Sequence, residues 1–423
     1  MEFNITSQEG RKFAKLSGDN NLIHLNDDVG YNSLFGEKIC HGCLVVLKCF
    51  DLIKLNKIIK DKKKYSIKII FFKHFSYEKK IKILKKKNNF FLYQSKIIIA
   101  ELKISFKNTF SNFQLKKKKS FKIDTKKRKP LNDIENLSLA LNKLTMFVGT
   151  IFPGKNSIIR EISINFNKKF NFDEKKIDIF SKKLDSRFPI INNKMNYKNY
   201  NIEFQTLVRP KFKFKKVEIS KNVKNIINKI EEKILIIGAG SGIGKELLNV
   251  FKLNNKLKIV ATYHKNKFLT NDKNIQVIKL DIEKSIGRIK QLINKFKRIK
   301  VYYFATPKIN LSTKDKASLS LYRRFYIQYP LEILSSFKGQ NIEFFYPSTI
   351  YIDQIKSSYT EMKKSAEERL NKINKKNIRL NILRIDEINT KQNISMINKN
   401  LPSFNQLLNK NKHYQNKIFF INQ

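Results

Sequence analysis

The chain has 423 residues, 41% of them hydrophobic, which predicts two or three domains instead of a single core. Its formal net charge is +52, but Lys supplies most of it and is spread along the whole chain, whereas nucleic-acid sites favour clustered Arg. We therefore expect no specific nucleic-acid partner. Because no apolar run reaches the roughly 20 residues that span a bilayer and the first residues do not resemble a signal peptide, we also expect no membrane insertion and a cytoplasmic location.

The first motif lies near the N-terminus, where Asp19 and His24 precede the sequence Ile39-Cys40-His41-Gly42. Gly42 opens an apolar run that predicts a helix. A carboxylate and an imidazole can divide the proton transfers on one water, and the N–H groups of a helix N-terminus stabilise developing negative charge. The three cysteines all lie around this helix start, with no second ligand pair beyond it, so they indicate neither a disulfide framework nor a metal site.

This motif resembles the MaoC-like (R)-specific enoyl hydratases, which have a hotdog fold. The resemblance implies that Asp19 and His24 hold the water added to, or removed from, an acyl thioester. It also implies that Gly42 donates its N–H to the thioester oxygen, and that the partner is an acyl-CoA or acyl carrier protein thioester. Alternating apolar segments, among them Phe90–Ile99, follow the helix and predict the strands that wrap it. We expect this hotdog to cover residues 1–114.

The middle of the chain begins with a lysine-rich run, residues 115–131, which predicts a solvated linker. Residues 132–217 then repeat the plan, because Leu137–Leu144 has helical spacing and Ile158–Phe166 alternates like a strand. The segment from Leu141 to Ser157 also resembles a part of MaoC-like proteins. Since this block contains no His, we expect a second hotdog half with a structural role, in which it completes the paired-hotdog shell and shapes the acyl tunnel.

The last block, residues 233–423, follows a polar linker at 218–232. Strands alternate here with helical segments, which is typical of a parallel α/β sheet. The apolar strand Ile234–Ile237 runs directly into a glycine-rich loop, residues 238–244, and then into a helix. Glycine lets the backbone turn tightly and approach a pyrophosphate at the helix N-terminus, so the loop predicts a dinucleotide site.

The spacing of these glycines resembles the short-chain dehydrogenase/reductase family, which implies a nicotinamide cofactor. The second strand ends without an acidic residue for the ribose 2′-hydroxyl, and the lysines that follow favour NADP, with NAD as the alternative. The cofactor-binding residues that the resemblance implies are Gly238, Ser241, Gly242, Ile243, Gly244, His264, Lys265, Asp281, Ile282 and Ala305.

The same family carries a Y-x-x-x-K motif, matched here by Tyr359 and Lys363, one helical turn apart, with Ser348 at the end of the preceding strand. The resemblance implies that the Tyr protonates the carbonyl oxygen, the Lys lowers the pKa of the Tyr, and the Ser orients the carbonyl. Thr349 is an alternative to Ser348. Because residues 315–338 lack the family's Asn and other family segments are replaced, reductase activity is less strongly indicated than nucleotide binding.

Together these patterns predict an α+β tandem hotdog followed by an α/β Rossmann-like, doubly wound parallel sheet. A 3-ketoacyl reductase and a (3R)-hydroxyacyl dehydratase act on consecutive thioesters, so we expect a bifunctional acyl-thioester enzyme, and a homo-oligomer because such reductases usually associate. Two alternatives remain. One is a short-chain oxidoreductase whose hotdog block is a non-catalytic acyl-binding or docking module. The other is a basic, non-enzymatic protein that binds nucleic acid or anionic surfaces.

Overall fold

The computed structural model describes residues 1–107, 117–122, 133–172, 176–183, 189–208, 217–309, 316–337, 339–373, 375–390 and 400–421. The described residues up to 208 form one compact unit, and those from 217 onward form a second. Within these ranges, no helix combines the length and the apolar character needed to cross a membrane.

The first unit is built from short helices and long strands. Its helices are α1 (Ser7–Ser17), α2 (Leu22–Leu25), α3 (Asp27–Tyr31), α4 (Gly42–Leu52), α5 (Leu55–Ile59) and α6 (Asp133–Met146), the last continued by a π-helical turn, Phe147–Ile151. Its strands are β1 (Glu2–Phe3), β2 (Lys64–Phe71), β3 (Ile81–Lys86), β4 (Asn89–Gln94), β5 (Ile97–Ser105), β6 (Lys117–Lys122), β7 (Ser157–Asn167), β8 (Lys176–Lys183), β9 (Ile190–Tyr197) and β10 (Tyr200–Val208).

These described strands form one antiparallel sheet in the order β1-β3-β4-β5-β2-β7-β10-β9-β8-β6. The sheet consists of two halves of five strands, β1–β5 and β6–β10. From its outer edge to the middle of the sheet, each half contains its own first, third, fourth, fifth and second strand in that order. The halves meet where β2 pairs with β7. We call β1–β5 with α4 the first repeat and β6–β10 with α6 the second repeat. The chain therefore contains an internal duplication of one helix-and-strands plan.

The expectation that residues 115–131 are a linker is corrected by the structure, because Lys117–Lys122 forms strand β6 and pairs with β8. This strand lies at the edge of the sheet. Lysine is among the residues that protect an exposed sheet edge from pairing with another chain, so a lysine-rich sequence is compatible with an edge strand.

The core of the first unit lies between the sheet and helices α4 and α6. Apolar side chains of α4 and α6 join a single buried cluster with alternate residues of β2 and β7, such as Ile67 and Ile69, Ile162 and Ile164. Alternate strand residues point to one face, so this face of the sheet packs against the helices.

The second unit has strands β11 (Lys233–Ile237), β12 (Ile259–Tyr263), β13 (Ile275–Lys279), β14 (Arg298–Tyr303), β15 (Asn341–Thr349) and β16 (Ile378–Ile385). Its helices are α7 (Lys221–Asn228), α8 (Gly242–Phe251), α9 (Ile282–Asn294), α10 (Lys316–Arg323), α11 (Tyr329–Ser335), α12 (Ser358–Leu370), α13 (Phe404–Lys410) and α14 (Lys412–Phe419). A π-helical turn, Arg324–Gln328, joins α10 to α11.

All pairings in this second sheet are parallel, and the strand order is β13-β12-β11-β14-β15-β16. Two separate apolar clusters form from its residues and those of the helices. The order and the helix layers are those of a Rossmann-like α/β fold, as the sequence predicted. The segment at 218–232, expected as a linker, contains α7, whose Asn222 donates a hydrogen bond to Gln415 on α14.

Candidate functional sites

Asp19 occupies the loop between α1 and α2, directly after Gly18, which ends α1 in the left-handed conformation. The Asp19 side chain is buried, with 2% exposure. One carboxylate oxygen, Oδ1, accepts a hydrogen bond from the Asn21 N–H at 3.2 Å, and Oδ2 accepts one from the Thr145 hydroxyl at 2.7 Å. Burial raises the pKa of Asp19, while His41 and Thr145 act in the opposite direction. Burial therefore favours the protonated form of the Asp19 carboxyl group.

His24 lies on α2, and its Nδ1 is 2.9 Å from the carbonyl oxygen of Ile39. A carbonyl oxygen can only accept a hydrogen bond, so Nδ1 carries the proton in the neutral ring and Nε2 is the basic nitrogen. The His24 ring stacks on the His41 ring, with centroids 4.0 Å apart. The loop carbonyl and the second imidazole therefore fix both the tautomer and the plane of His24.

His41 is fully buried beside these two residues. Its Nε2 lies 3.2 Å from the backbone oxygen of Asp19, and its Nδ1 lies 3.5 Å from the Tyr77 hydroxyl. Burial, together with the neighbouring His24, lowers the pKa of His41 to about 3, so this ring is neutral. Ligand atoms of Asp19, His24 and His41 lie within 4.8 Å of one another. Since His41 already uses both nitrogens, the cluster suits proton transfer better than metal ligation.

A cavity of about 180 Å³ brings together the three residues that the sequence predicted for this site. Asp19, His24 and Gly42 all line it. Helix α4 begins at Gly42, and no side chain caps its N-terminus. N–H groups at the start of a helix have no partner within the helix, so they are available to a ligand oxygen in the cavity.

The second repeat also lines this cavity. Thr145 on α6 and Gly149 in the π-helical turn both contact Asp19, and Ser157 at the start of β7 completes that wall. None of these three residues was singled out from the sequence, and the resemblance of residues 141–157 to MaoC-like proteins was the one signal that could have drawn attention to them.

In the second unit, the predicted glycine loop turns between β11 and α8. A Cβ on Gly238 would lie 2.8 Å from the Phe304 backbone carbon and 2.9 Å from the Ala305 nitrogen, and one on Gly244 would lie 2.4 Å from the Gly238 oxygen. Glycine is needed at both positions because the backbones approach this closely. A Cβ on Gly242, where φ is +58°, would instead meet nothing within 4 Å, so the loop leaves open space beside the helix N-terminus.

Other predicted cofactor residues surround this loop. His264 Nε2 lies 3.7 Å from Asp281 Oδ2, and Asp281 also caps α9 by accepting a hydrogen bond from the Glu283 N–H. Ser241 precedes the first residue of α8 without capping the helix through its side chain. The remaining members lie directly beside these elements: Ile243 in the first turn of α8, Lys265 after β12, Ile282 at the start of α9, and Ala305 after β14.

The predicted catalytic residues of this unit meet at the end of β15. Tyr359 is buried and hydrogen-bonds to the side chain of Thr349, and Lys363 Nζ donates to the Pro347 oxygen at 2.5 Å. Ser348, 5% exposed, has a buried hydroxyl without a hydrogen-bond partner. An unpaired buried hydroxyl is costly, so it indicates a position where a ligand oxygen can bind.

Lys363 does not act on Tyr359 as predicted. Its Nζ lies between the rings of Tyr326 and Tyr346, 4.3 and 4.4 Å from their centroids. Burial lowers the pKa of Lys363 to about 7 and raises the pKa of Tyr359 above its usual range. The expected lowering of the Tyr359 pKa by a neighbouring ammonium group is therefore not seen in this arrangement. The Lys side chain instead stabilises the strand end through the Pro347 oxygen and the two rings.

No family model matches the chain, and no curated protein is similar to it. Among solved structures, it is similar to UDP-glucuronic acid 4-epimerase from Bacillus cereus in complex with NAD, with 19% identity, a TM-score of 0.31, and 37% of this chain and 56% of that chain covered. It therefore spans about half of that epimerase.

Two further solved structures are similar to the chain. A short-chain dehydrogenase/reductase (wide type) from Veillonella parvula in complex with NADP has 16% identity and a TM-score of 0.26, over 37% of this chain and 69% of that one. A short chain dehydrogenase from Salmonella enterica serovar Typhi has 12% identity and a TM-score of 0.37, over 46% and 92%. Such distant likeness assigns no activity by itself, and the Rossmann-like character of the second unit follows from its strand order.

Proposed function

We propose that this protein is a bifunctional acyl-thioester enzyme, combining a (3R)-hydroxyacyl dehydratase/enoyl hydratase with an NAD(P)H-dependent 3-ketoacyl reductase. The observation that carries the proposal is the cavity of the first unit, in which Asp19, His24 and Gly42 face one space. An acid, a base and a helix N-terminus are the three groups that hydration of an unsaturated thioester needs.

In the hydration direction, His24 Nε2 takes a proton from a water as the water oxygen bonds to C3 of the enoyl thioester. Electron density moves to the thioester oxygen, which accepts a hydrogen bond from the Gly42 N–H. The Asp19 carboxyl, whose pKa burial raises, gives its proton to C2, and the proton held by His24 then returns to Asp19 and restores both groups. The sum is addition of H and OH across the double bond, and dehydration is the reverse.

The architecture of the first unit supports the same proposal. Each repeat pairs one long helix with five strands in the same relative order. This is the arrangement expected of two hotdog halves in tandem, and we propose that residues 1–114 are the first half and that residues 132–217, together with strand β6, are the second. Lys73 and Arg160 line the cavity together with the acid and base. These cationic side chains favour the phosphates of coenzyme A or of an acyl carrier protein arm.

For the reductase half, we propose that residues 233–423 bind NADP, with NAD as the alternative. The fit rests on the open space beside Gly242 and on the helix start at Ser241, where a pyrophosphate can approach backbone N–H groups. The bound nicotinamide would supply the hydride. The Ser348 hydroxyl, unpaired in the buried strand end, would orient a ketone oxygen, and Tyr359 would donate the proton to it.

The proposal is tested first with crotonyl-CoA, by following the loss of the enoyl thioester absorbance. We expect hydration by the wild type and at least a hundredfold loss in Asp19→Asn, since general acid–base groups contribute about 10²- to 10⁴-fold. The matched control is Asp28→Asn, an exposed carboxylate on α3, which should retain wild-type activity. Absence of hydration in the wild type would refute the hydratase half.

The reductase half is tested with acetoacetyl-CoA and NADPH. We expect NADPH oxidation that Tyr359→Phe abolishes and that Tyr93→Phe, a half-buried strand position in the first unit, leaves unchanged. Reduction without any hydration would favour the simpler enzyme, a short-chain oxidoreductase with a non-catalytic acyl-binding block. Neither reaction in the wild type would refute the proposed function as a whole. We also propose a homo-oligomer, which sedimentation of the same preparation tests.

A further inference from the structure

Among the second-repeat side chains that line the cavity, Thr145 hydrogen-bonds to the Asp19 carboxyl group. Its hydroxyl donates to Asp19 Oδ2 at 2.7 Å, and the two residues are separated by 126 positions in the sequence. Both are buried, with 4% and 2% exposure. A hydrogen bond to an ionisable group in such an environment is among the strongest that a neutral side chain makes.

The same hydroxyl has a second neighbour. The Cys43 side chain, on α4, hydrogen-bonds to Thr145, and burial raises the pKa of the Cys43 thiol to about 12. A thiol can donate to a lone pair of the Thr145 oxygen, which is compatible with donation of the single Thr145 hydroxyl hydrogen to Asp19.

Gly149 contacts the same carboxyl group from the π-helical turn. A Cβ at Gly149 would lie 2.1 Å from Asp19 Oδ1 and 2.7 Å from its carboxyl carbon. Its φ is not in the left-handed region, so the backbone itself would accept another residue. The requirement for glycine comes from the space that Asp19 occupies. The turn, Phe147–Ile151, contains an inserted residue relative to an α-helix, a feature that often occurs at functional sites.

We infer that Thr145 and Gly149 are positioning residues for the acid Asp19, so that the second repeat, which contains no His, forms part of the active site of the first. The inference rests on the proposed hydratase function. Thr145 holds one carboxyl oxygen, Gly149 leaves room for the other, and Asn21 adds a backbone N–H. The carboxyl group can then take only one orientation toward the cavity.

This role predicts a change in the titration of Asp19. The hydrogen bond from Thr145 favours the ionised carboxylate, so its removal raises the Asp19 pKa further. The other titratable groups near this carboxyl are His24, His41, Cys43 and Tyr77. None of them is substituted in a Thr145→Val variant, whose side chain has nearly the same volume, although Cys43 loses its hydrogen bond to Thr145. Thr145→Ser restores the hydroxyl and should restore the titration.

The test uses the full chain in three variants, Thr145→Val, Thr145→Ser and Thr150→Val. Thr150 lies in the π-helical turn that follows α6, and its hydroxyl donates to the backbone oxygen of Met146, not to Asp19. We expect Thr145→Val to lower kcat on crotonyl-CoA about 10- to 100-fold with little change in KM, because it removes a hydrogen bond to the carboxylate that forms as Asp19 gives up its proton. Its pH–rate limb for Asp19 should move to higher pH. Thr145→Ser and Thr150→Val should resemble the wild type.

A readout without substrate separates this inference from the proposed function. The carbonyl band of the protonated Asp19 carboxyl can be titrated by infrared difference spectroscopy and assigned by its loss in Asp19→Asn. We expect the acid dissociation constant to fall about tenfold in Thr145→Val only. An unshifted band would overturn the inference whether or not the protein hydrates crotonyl-CoA. A shifted band with an inactive wild type would support the contact and refute the hydratase.

Gly149→Ala provides an independent check of the steric part. The variant should lower the melting temperature and the activity, and the loss of melting temperature should largely disappear in an Asp19→Ala background, where the carboxyl group is absent. An equal loss in both backgrounds would mean that Gly149 serves the backbone and not Asp19.

Discussion

A buried carboxyl group in the second unit makes the stability of that unit depend on pH. Glu246 lies on α8 with 6% exposure, and burial raises its pKa from an ordinary value of 4.5 to about 7. The backbone N–H groups of Phe404 and Asn405, at the start of α13, hydrogen-bond to it and act in the opposite direction. Its Oε2 atom has no hydrogen-bond partner.

The sign of the effect follows from proton binding. Between pH 4.5 and about 7 the folded chain keeps a proton on Glu246 that the unfolded chain has released, so the free energy of unfolding falls as the pH rises through this range. A shift of about 2.5 units corresponds to about 3 kcal/mol, at the 1.36 kcal/mol per unit of pKa. Glu246→Gln removes this ionisation while retaining the shape of the side chain.

We therefore expect the free energy of unfolding of Glu246→Gln to increase by about 3 kcal/mol relative to that of the wild type on going from pH 4.5 to pH 8. The measurement is urea unfolding followed by far-UV circular dichroism, together with hydrogen exchange of peptides covering α8 and α13, which reports this region alone. The matched control is Glu368→Gln, at an exposed position on α12. A stability difference that stays constant with pH would refute the reasoning.

Three further predictions concern packing and ion pairs. Gly244→Ala should abolish NADPH binding, measured by fluorescence titration, because its Cβ would lie 2.4 Å from the Gly238 oxygen; unchanged affinity would contradict this. Tyr200→Phe should lower the unfolding free energy by about 1 kcal/mol, since the Tyr200 hydroxyl donates to the backbone oxygen of Asp133 at 2.6 Å; an unchanged unfolding free energy in urea would show that this bond does not stabilise the fold. Lys300→Met should lower the unfolding free energy by about 1.5 to 3 kcal/mol, because it removes the buried cation between Glu232 and Glu343, which keep only Arg298 and Arg379; a neutral effect in the same assay would contradict the ion pair's role.

The sequence predicted elements whose pattern is local. The glycine loop, the strand before it and the helix after it follow from residues within about ten positions of one another, and the observed β11 and α8 agree with them. The start of α4 at Gly42 was predicted for the same reason. Periodicity and capping act over a few residues, so a single sequence contains enough information to locate them.

Turns without the usual turn residues were missed. The predicted strand Phe90–Ile99 is two strands, because Ser95 and Lys96 adopt positive φ angles of 51° and 66° and form a tight connection between β4 and β5. Glycine or asparagine would normally indicate such a turn. The contact of Thr145 with Asp19 was missed for a different reason. It joins two repeats that only the folded sheet brings together, and no local pattern reports a contact across 126 residues.

The pairing of β2 with β7 places two copies of one plan in a single continuous sheet, while the histidines of the first unit all belong to the first copy. Because residues of both copies line one cavity, the copy without the acid–base pair can acquire substitutions that serve the chemistry of its neighbour. Fusion of the two copies within one chain makes such asymmetry heritable, which an assembly of identical subunits could not achieve.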